Sequence, residues 1–336
     1  MSSPADLADR ALAALTGLAI GDALGMPTQA LPRELIKARY GMITDFKPGP
    51  PDQPIAPNMP AGSITDDTEQ ALLVGRLLVA GNGRIDPNQL AADLLAWEQD
   101  MRRRGSLDLL GPSTKAAVAA VAAGVPIEEA GRNGSTNGAA MRITPVGIAC
   151  PATELPVLVE RVVEASWVTH NTDVALAGAA AVAGAVSAGL AGADVAEATE
   201  VGVRAAELAG TKGNWVAAGD VGGRIELARE LVAGRSVEDA ADRIYRLVGT
   251  SVATQESVPA AFGVLAVYPD DPWQAVLLAA SLGGDCDTIA AIAGAIAGAC
   301  HGGSGFPVSA AKTITEVNDL SLEQLTAELL AIRAAS

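Results

Sequence analysis

Apolar residues recur every three or four positions along most of this chain, and clear runs of strict apolar–polar alternation are absent. That spacing matches one face of an α-helix rather than one face of a β-strand. Ala, Leu and Glu, which favour helices, fill most of the periodic segments. The pattern predicts helices over 6–20, 68–79, 87–103, 113–123, 156–168, 174–190, 195–209, 224–233, 237–248, 273–282, 288–300 and 322–334.

Residues 258–267 are ambiguous between helix and strand. We find no fixed-period repeat and no linker that would divide the chain. The sequence therefore predicts one all-α domain over 1–336, built as a bundle around Ala-rich helices.

Residues 174–193 form a stretch without any charged residue, long enough to cross a bilayer. Ala and Gly make up most of it, Asp173 and Asp194 flank it, and basic or aromatic flanking residues are missing. Small residues at helical spacing also allow close packing between helices inside a protein. We expect a buried helix here and no membrane partner.

Charge narrows the function classes. The chain has 23 Lys and Arg against 39 Asp and Glu, a net charge of −16. Such an acidic chain is a poor partner for a phosphate backbone, so we expect no nucleic-acid binding. Three scattered cysteines do not form a disulfide framework, and the N-terminus lacks the pattern of a secretory signal. A cytoplasmic location is the expectation.

The segment 41–64 breaks the helical pattern with six prolines. Long irregular loops inside a compact domain are uncommon and often serve as lids over functional sites. A Pro-stiffened surface crossing is the alternative. The segment leads directly into the strongest motif of the chain.

That motif is Thr65-Asp66-Asp67-Thr68 at the start of an apolar helix. Thr65 can cap the helix, and acids in a first helical turn suit its dipole. Two adjacent carboxylates and a hydroxyl are more than a cap requires. Such hard oxygen donors suit Mg²⁺ or Mn²⁺.

A second constellation of this kind, Gly283-Gly284-Asp285-Cys286-Asp287-Thr288, begins another apolar helix. Ordinary capping is again the simpler alternative. Together the two motifs supply six oxygen ligands, enough for two hard ions that share a carboxylate. The residues alone thus indicate a hard-metal site.

Three further segments carry polar groups. Asp22 ends an apolar helix and is either a buried ligand or a local cap. Residues 131–142 are rich in Gly and Asn, which suits a phosphate or sugar cradle but also a plain turn. His170 lies in a polar turn, where a hydrogen-bonding role is commoner than catalysis, and His301 at a helix end is interpreted as structural.

Taken together, these motifs resemble the ADP-ribosylglycohydrolase family, which includes the dinitrogenase-reductase-activating glycohydrolase and the ADP-ribosyl-acceptor hydrolases. The resemblance runs from about 11 to 302. It implies an all-α orthogonal bundle that hydrolyses an N- or O-glycosidic bond at the ribose anomeric carbon with two Mg²⁺ or Mn²⁺ ions. The motifs that carry it are Gly21-Asp22-Ala23-Leu24-Gly25, Thr65-Asp66-Asp67-Thr68, Asn137-Gly138-Ala139-Ala140-Met141-Arg142, Thr169-His170, Glu256-Ser257-Val258-Pro259 and Gly283-Gly284-Asp285-Cys286-Asp287-Thr288.

By the same resemblance, each expected site residue receives a role. Asp66 or Asp67 is the expected general base, which takes a proton from the attacking water. The expected metal ligands are Thr65, Asp66, Asp67, Asp285, Asp287 and Thr288. The residues expected at the substrate are Asp22, Gln29, Ser135, Asn137, Gly138 and His170.

Two positions depart from the family pattern. Gln29 stands where members that act on ADP-ribosylated proteins usually have Glu, and an amide cannot accept a proton from water. This counts against activity on ADP-ribosylated protein more than against metal binding. Cys286 stands where Thr is commoner, and we expect its thiol to pack inward.

The leading functional hypothesis is a Mg²⁺- or Mn²⁺-dependent glycohydrolase acting on ADP-ribosylated protein or a small ADP-ribosyl compound. A nucleoside or another N-riboside is the alternative substrate. A relative that binds ligands without catalysis, or serves as a structural protein, is the alternative class. Retention of a costly carboxylate cluster favours the hydrolase.

Overall fold

The computed structural model describes residues 3–107 and 110–335. Within these ranges the chain forms helices and turns, with three isolated β-bridges and no β-strand. Ile244–Val248 continues α13 as a wider π-type turn, and Ala152–Glu154 and Gly303–Gly305 are short 3₁₀ turns. The α-helices are α1 Pro4–Gly25, α2 Arg33–Tyr40, α3 Asp66–Ala80, α4 Pro87–Arg103, α5 Pro112–Ala122, α6 Ile127–Ala130, α7 Gly138–Met141, α8 Thr144–Ala149, α9 Leu155–Ser166, α10 Asp173–Leu190, α11 Val195–Ala209, α12 Val221–Val232, α13 Val237–Arg243, α14 Thr254–Val267, α15 Pro272–Ala280, α16 Cys286–His301, α17 Val308–Asn318 and α18 Glu323–Ala335.

The all-α prediction is confirmed, and each predicted helix has a counterpart within a few residues of its expected ends. The ambiguous segment 258–267 belongs to α14. Nearly every side chain of α14 from Ser257 to Leu265 is buried, so few polar positions remain to mark a helical period. The sequence pattern does not predict α2, α6, α7, α8 and α17. These helices are short, with four to 11 residues each.

Helices α1 and α16 run antiparallel in very close contact. Glycines face the opposite backbone along the contact: a methyl group at Gly17 or Gly21 would lie within 3.0 Å of backbone atoms of α16. At Gly298 it would meet α1 in the same way. The antiparallel arrangement places the end of α1 beside the start of α16, where the second acidic motif begins.

The charge-free stretch forms α10, whose residues from Val174 to Leu190 are all buried. It is long and apolar enough to cross a membrane, yet 94% of its apolar window lies inside the protein. The expectation of a buried helix is therefore confirmed. One large cluster of buried apolar side chains surrounds it and extends from Ala11 to Leu329.

The Pro-rich segment 41–64 contains no helix or strand and crosses the protein beside the second acidic motif. Its Ile43 N–H donates to Ser281 Oγ at 2.9 Å, and its Gln53 amide donates to the Gln29 carbonyl at 2.9 Å. The segment thus contacts two turns that border the site described next. Its function as a lid stays a prediction.

Candidate active site

Asp22 joins the end of α1 to the start of α3. Its carboxylate accepts the Thr65 N–H at 3.0 Å and the Thr65 hydroxyl at 2.6 Å. It also accepts the Thr68 N–H at 3.1 Å and the Thr68 hydroxyl. Burial raises the pKa of Asp22 to about 6, although these four hydrogen bonds lower it.

This arrangement corrects one expectation. The Thr65 side chain makes no capping hydrogen bond to α3, and the Asp22 carboxylate accepts the backbone N–H groups of Thr65 and Thr68 at the start of that helix instead. Asp22 is fully buried and is not among the residues that line the cavity beside the acids, so it holds the first acidic motif in place. Its contact with a substrate stays a prediction.

The two acidic motifs, far apart in sequence, meet at Asp67. Its Oδ2 accepts the Thr288 hydroxyl at 3.3 Å and lies 3.4 Å from the Thr65 hydroxyl oxygen, whose proton goes to Asp22 over the shorter contact. Asp67 is 1% exposed, and its Oδ1 accepts no hydrogen bond from the residues that the structure describes. Asp66, the preceding residue, is only half-buried and faces a cavity.

The second motif owes its position to a glycine pair in the left-handed region. Gly283 and Gly284 have φ angles of 95° and 78°, which side-chain-bearing residues rarely adopt. Gly284 makes two backbone hydrogen bonds to the turn after α1: its carbonyl accepts the Ala30 N–H at 2.7 Å, and its N–H donates to the Leu31 carbonyl at 2.9 Å. Asp285, which follows, is held by the Asn137 amide.

Cys286 points away from the acids. Its thiol is fully buried with Leu31 and Ile36, and it accepts the Gly283 N–H at 3.0 Å. Burial raises the pKa of Cys286 to about 12, so the thiol stays neutral. The expected inward packing is confirmed, and the thiol is no ligand in this arrangement.

Negative charge is concentrated at this junction. Burial raises the pKa of Asp67 well above its ordinary value, and the charges of Asp287, Asp66, Asp22 and Asp285 raise it further. Several carboxylates this close repel one another unless protons or cations intervene. Within the described ranges no three acidic, His or Cys side chains are close enough to hold an ion as they stand. The residues therefore fit Mg²⁺ or Mn²⁺ by the chemistry of their donor atoms. They supply hard oxygen ligands, and the buried Asp67 Oδ1 accepts no hydrogen bond from the described residues.

A cavity of about 270 Å³ opens beside the acids. None of the described residues that line it is Lys or Arg. A second cavity of about 370 Å³ shares Ile55 and Leu107 with it and is bordered by Glu69 and Arg104. The residues lining the first cavity include Gln29, Asp66, Thr114, Thr136, Asn137, Gly138, Met141, Asp285, Asp287 and Thr288.

The expected substrate cradle is present only in part. Asn137 and Gly138 line the cavity, and Asn137 also donates to Ser257 at 2.9 Å. Ser135 is not among the lining residues, and its backbone carbonyl accepts the Thr254 hydroxyl at 2.9 Å. Thr136, which the sequence reading passed over, takes that place.

His170 lies behind the cavity wall. It is fully buried, and its Nε2 lies 3.2 Å from the Thr136 hydroxyl. The ring also accounts for the glycine at position 138, because a methyl group on Gly138 would lie 3.0 Å from the imidazole. His170 thus supports Thr136, which lines the cavity, and direct contact of His170 with a substrate stays a prediction.

Gln29 reaches the cavity as expected. Its side chain is 4% exposed, and its amide nitrogen has no hydrogen-bond partner among the described residues. An unpaired buried donor is costly unless a ligand pairs with it. Gln29 is therefore suited to donate to a bound molecule.

The site thus combines an all-helical scaffold with carboxylates that line a cavity at the starts of two helices. Comparison with known proteins identifies the family. The model of the ADP-ribosylglycohydrolase family matches residues 3–335. The chain therefore belongs to the ADP-ribosylglycohydrolase family, which is a family of hydrolases.

Individual relatives agree with this assignment. The uncharacterized protein YegU of Escherichia coli is 35% identical over 97% of both chains. ADP-ribosylarginine hydrolase Tri1 of Pseudomonas putida is 30% identical over 91% of this chain and 74% of its own. A solved structure described as an ADP-ribosylglycohydrolase-related protein complex is 26% identical, with a TM-score of 0.71 over 98% of this chain and 99% of that one.

Proposed function

We propose that this protein is a Mg²⁺- or Mn²⁺-dependent glycohydrolase that cleaves the bond between ribose and its leaving group in an ADP-ribosyl compound. One observation carries the proposal: Asp67 and Thr288 join the two acidic motifs at 3.3 Å beside a cavity that three further acids line. The proposed ligands of two ions are Thr65, Asp66, Asp67, Asp285, Asp287 and Thr288.

The electrostatics support metal binding. Asp67 is buried among four other carboxylates that raise its pKa. A bound divalent ion would supply positive charge to this cluster and Lewis acidity toward a water molecule or a ribose hydroxyl. The family is generally metal-dependent.

Asp66 is the better general base of the two candidates. It lines the cavity, whereas Asp67 is 1% exposed and not among the lining residues. A base must come within hydrogen-bond reach of the proton that it takes. We assign to Asp66 the proton of the water that attacks the anomeric carbon, through an oxocarbenium-like transition state. Gln29 and Asn137 then hold the substrate through their amides.

Two classes of substrate are candidates, and each of the two cavities favours a different class. An ADP-ribosyl group carries a negative diphosphate, and the adjoining 370 Å³ cavity with Arg104 offers room for it. A neutral nucleoside or another N-riboside is favoured by the first cavity, whose described lining contains no Lys or Arg. Arg104 already pairs with Glu69 and Asp100, which weakens it as a phosphate ligand.

The proposal is tested on metal-stripped protein. Mg²⁺ or Mn²⁺ should raise the unfolding midpoint, and either ADP-ribose or a ribonucleoside should raise it further by binding the folded state. Hydrolysis of ADP-ribosylarginine and of ribonucleosides is then measured with the metal present. Asp287→Asn should abolish the metal response and turnover. Asp242→Asn, which removes an exposed carboxylate paired with Arg246, is the matched control.

The outcomes separate the hypotheses. Metal-dependent turnover of either compound supports the glycohydrolase, and the compound that is cleaved selects the substrate class. A metal response without turnover of any ribosyl compound would support a ligand-binding relative instead. Absence of a metal response would refute the metal-dependent mechanism.

A further inference from the structure

Four side chains behind the candidate active site connect two of its walls. All four are 0% exposed. The residues at the two ends of the connection, Asp66 and Thr136, both line the 270 Å³ cavity. In order from one wall to the other, the connected residues are Asp66, Gln70, Arg142, Thr169, His170 and Thr136.

Arg142 is the centre of this buried chain. It donates from one terminal nitrogen to Gln70 Oε1 at 3.0 Å and from the other to Thr169 Oγ1 at 2.6 Å. Its Nε has no hydrogen-bond partner among the described residues. Burial of a guanidinium is costly, and it lowers the pKa of Arg142 to about 10. The negative charge of Asp66 offsets part of this effect.

Arg142 fixes the direction of the hydrogen bonds toward Asp66. A guanidinium has five donors and no acceptor, so Gln70 must present its oxygen to Arg142. The amide nitrogen of Gln70 then faces the other way and donates to Asp66 Oδ2 at 3.1 Å. Asp66 is thereby held as an acceptor in a fixed orientation.

Toward the opposite wall, the direction depends on the one hydroxyl proton of Thr169. Thr169 accepts from Arg142, and its proton can reach the His170 Nδ1 at 2.8 Å or the Ser166 carbonyl at 3.3 Å, so the shorter contact favours donation to His170. Burial lowers the pKa of His170 well below its ordinary value, and the charge of Arg142 lowers it further. A neutral imidazole that accepts at Nδ1 carries its proton on Nε2.

The proton on Nε2 decides what the cavity offers to a ligand. His170 Nε2–H donates to the Thr136 hydroxyl oxygen at 3.2 Å. The hydroxyl proton of Thr136 is then available to a bound molecule. In the other tautomer Thr136 would donate to His170, and the cavity would receive only an oxygen lone pair.

We propose that Arg142, together with the short Thr169–His170 contact, sets the direction of the hydrogen bonds in this buried chain, so that Thr136 donates its hydroxyl proton to an acceptor oxygen of the substrate while Asp66 remains an acceptor. Arg142 and His170 are positioning residues, and Thr136 is the residue that touches the substrate. The identity of the substrate rests on the proposed function. The direction of the hydrogen bonds does not.

The direction is tested by the tautomer of His170. The chain contains only two histidines, so nitrogen NMR of the ¹⁵N-histidine-labelled full-length protein is readily assigned with a His301→Gln variant. We expect His170 to be the neutral Nε2–H form throughout pH 5–8. A neutral Nδ1–H form, or protonation of His170 within this range, would overturn the proposal.

A second variant tests the role of Arg142 through Thr169. Thr169→Val keeps the side-chain shape but removes the hydroxyl between Arg142 and His170, and the Nε2–H fraction should fall. Thr199→Val is the matched control, because it removes a buried hydroxyl that donates only within α11, to Val195. An unchanged tautomer in Thr169→Val would refute control by Arg142.

Ligand affinity tests the final step. With Mg²⁺ present, Thr136→Val should weaken ADP-ribose binding about tenfold, the size expected for loss of one hydrogen bond, and Thr136→Ser should restore most of it. Equal affinities of Thr136→Val and the wild type would exclude Thr136 as a donor. If the wild type binds neither ADP-ribose nor a ribonucleoside, the proposed function fails, whereas the tautomer result still decides the hydrogen-bond direction.

Discussion

The contact between α1 and α16 allows a sharp test of how the fold supports the site. A methyl group at Gly25 would lie within 3.0 Å of the backbone of Asp287 and Cys286, whereas ordinary van der Waals contacts are 3.4–4 Å. Gly25→Ala must therefore displace the start of α16, which carries the second acidic motif. We predict that this single methyl group disrupts ligand binding.

The expected change in the free energy of unfolding follows from two opposing contributions. Overpacking a close contact costs about 1–3 kcal/mol, while replacing a helical glycine by alanine recovers up to about 1 kcal/mol. We expect a net loss of about 1–2 kcal/mol in the free energy of unfolding, measured by urea denaturation. The protein remains folded, but we expect Mg²⁺ and ADP-ribose to bind at least tenfold more weakly, as measured by calorimetry.

Gly298→Ala is the matched control. The added methyl group meets the backbone of Ala13 and Ala14 in the same helix pair, about 16 Å further along α16 than Asp287. Its stability loss should be similar, and ligand binding should be retained. Normal binding by Gly25→Ala would refute the argument, since the motif would then tolerate the displacement. Equal loss of binding in both variants would show a general effect of destabilisation.

Three further predictions concern single side chains. Asp67→Asn replaces a carboxyl group whose ionisation is disfavoured in the folded protein, so it should raise the unfolding midpoint of the metal-free protein at neutral pH and abolish the increase caused by Mg²⁺. Gln29→Leu replaces a buried amide whose nitrogen lacks a partner, so calorimetry should show weaker substrate binding without loss of stability in urea. The pKa of His170 is lowered in the folded protein, so below pH 6.5 the unfolded chain binds a proton that the folded protein does not. The free energy of unfolding should therefore decrease as the pH is lowered from 6.5 to 5, and His170→Gln should flatten this dependence in urea denaturation.

Local patterns in the sequence were sufficient for most of the helices. The ends of α4 and α11 agree with the prediction to the residue, because apolar periodicity and capping residues act over a few positions. The same local signals failed at α14. This helix is buried on nearly every side, so apolar residues surround it and no polar face marks the helical period.

The candidate site shows the same difference between what local sequence patterns predict and what helix packing decides. Acidic pairs after Thr65 and after Gly284 were visible in the sequence because their donor types are unusual at helix starts. The sequence predicts that Asp22 and His170 contact the substrate, whereas both side chains are fully buried in the structure. Nothing local distinguishes a carboxylate that faces a ligand from one that faces a hydroxyl on another helix.

By itself, then, the sequence determined the helical class, the two acidic motifs and the resemblance to a glycohydrolase family. Only the tertiary structure decided that Asp67 meets Thr288, that Thr136 lines the cavity in place of Ser135, and that Arg142 is fully buried. Helix formation and capping depend on neighbours in the chain, whereas these contacts depend on how helices distant in sequence pack together. The close approach of α1 and α16 at their glycines is such a contact, and it places the end of α1 against the second acidic motif.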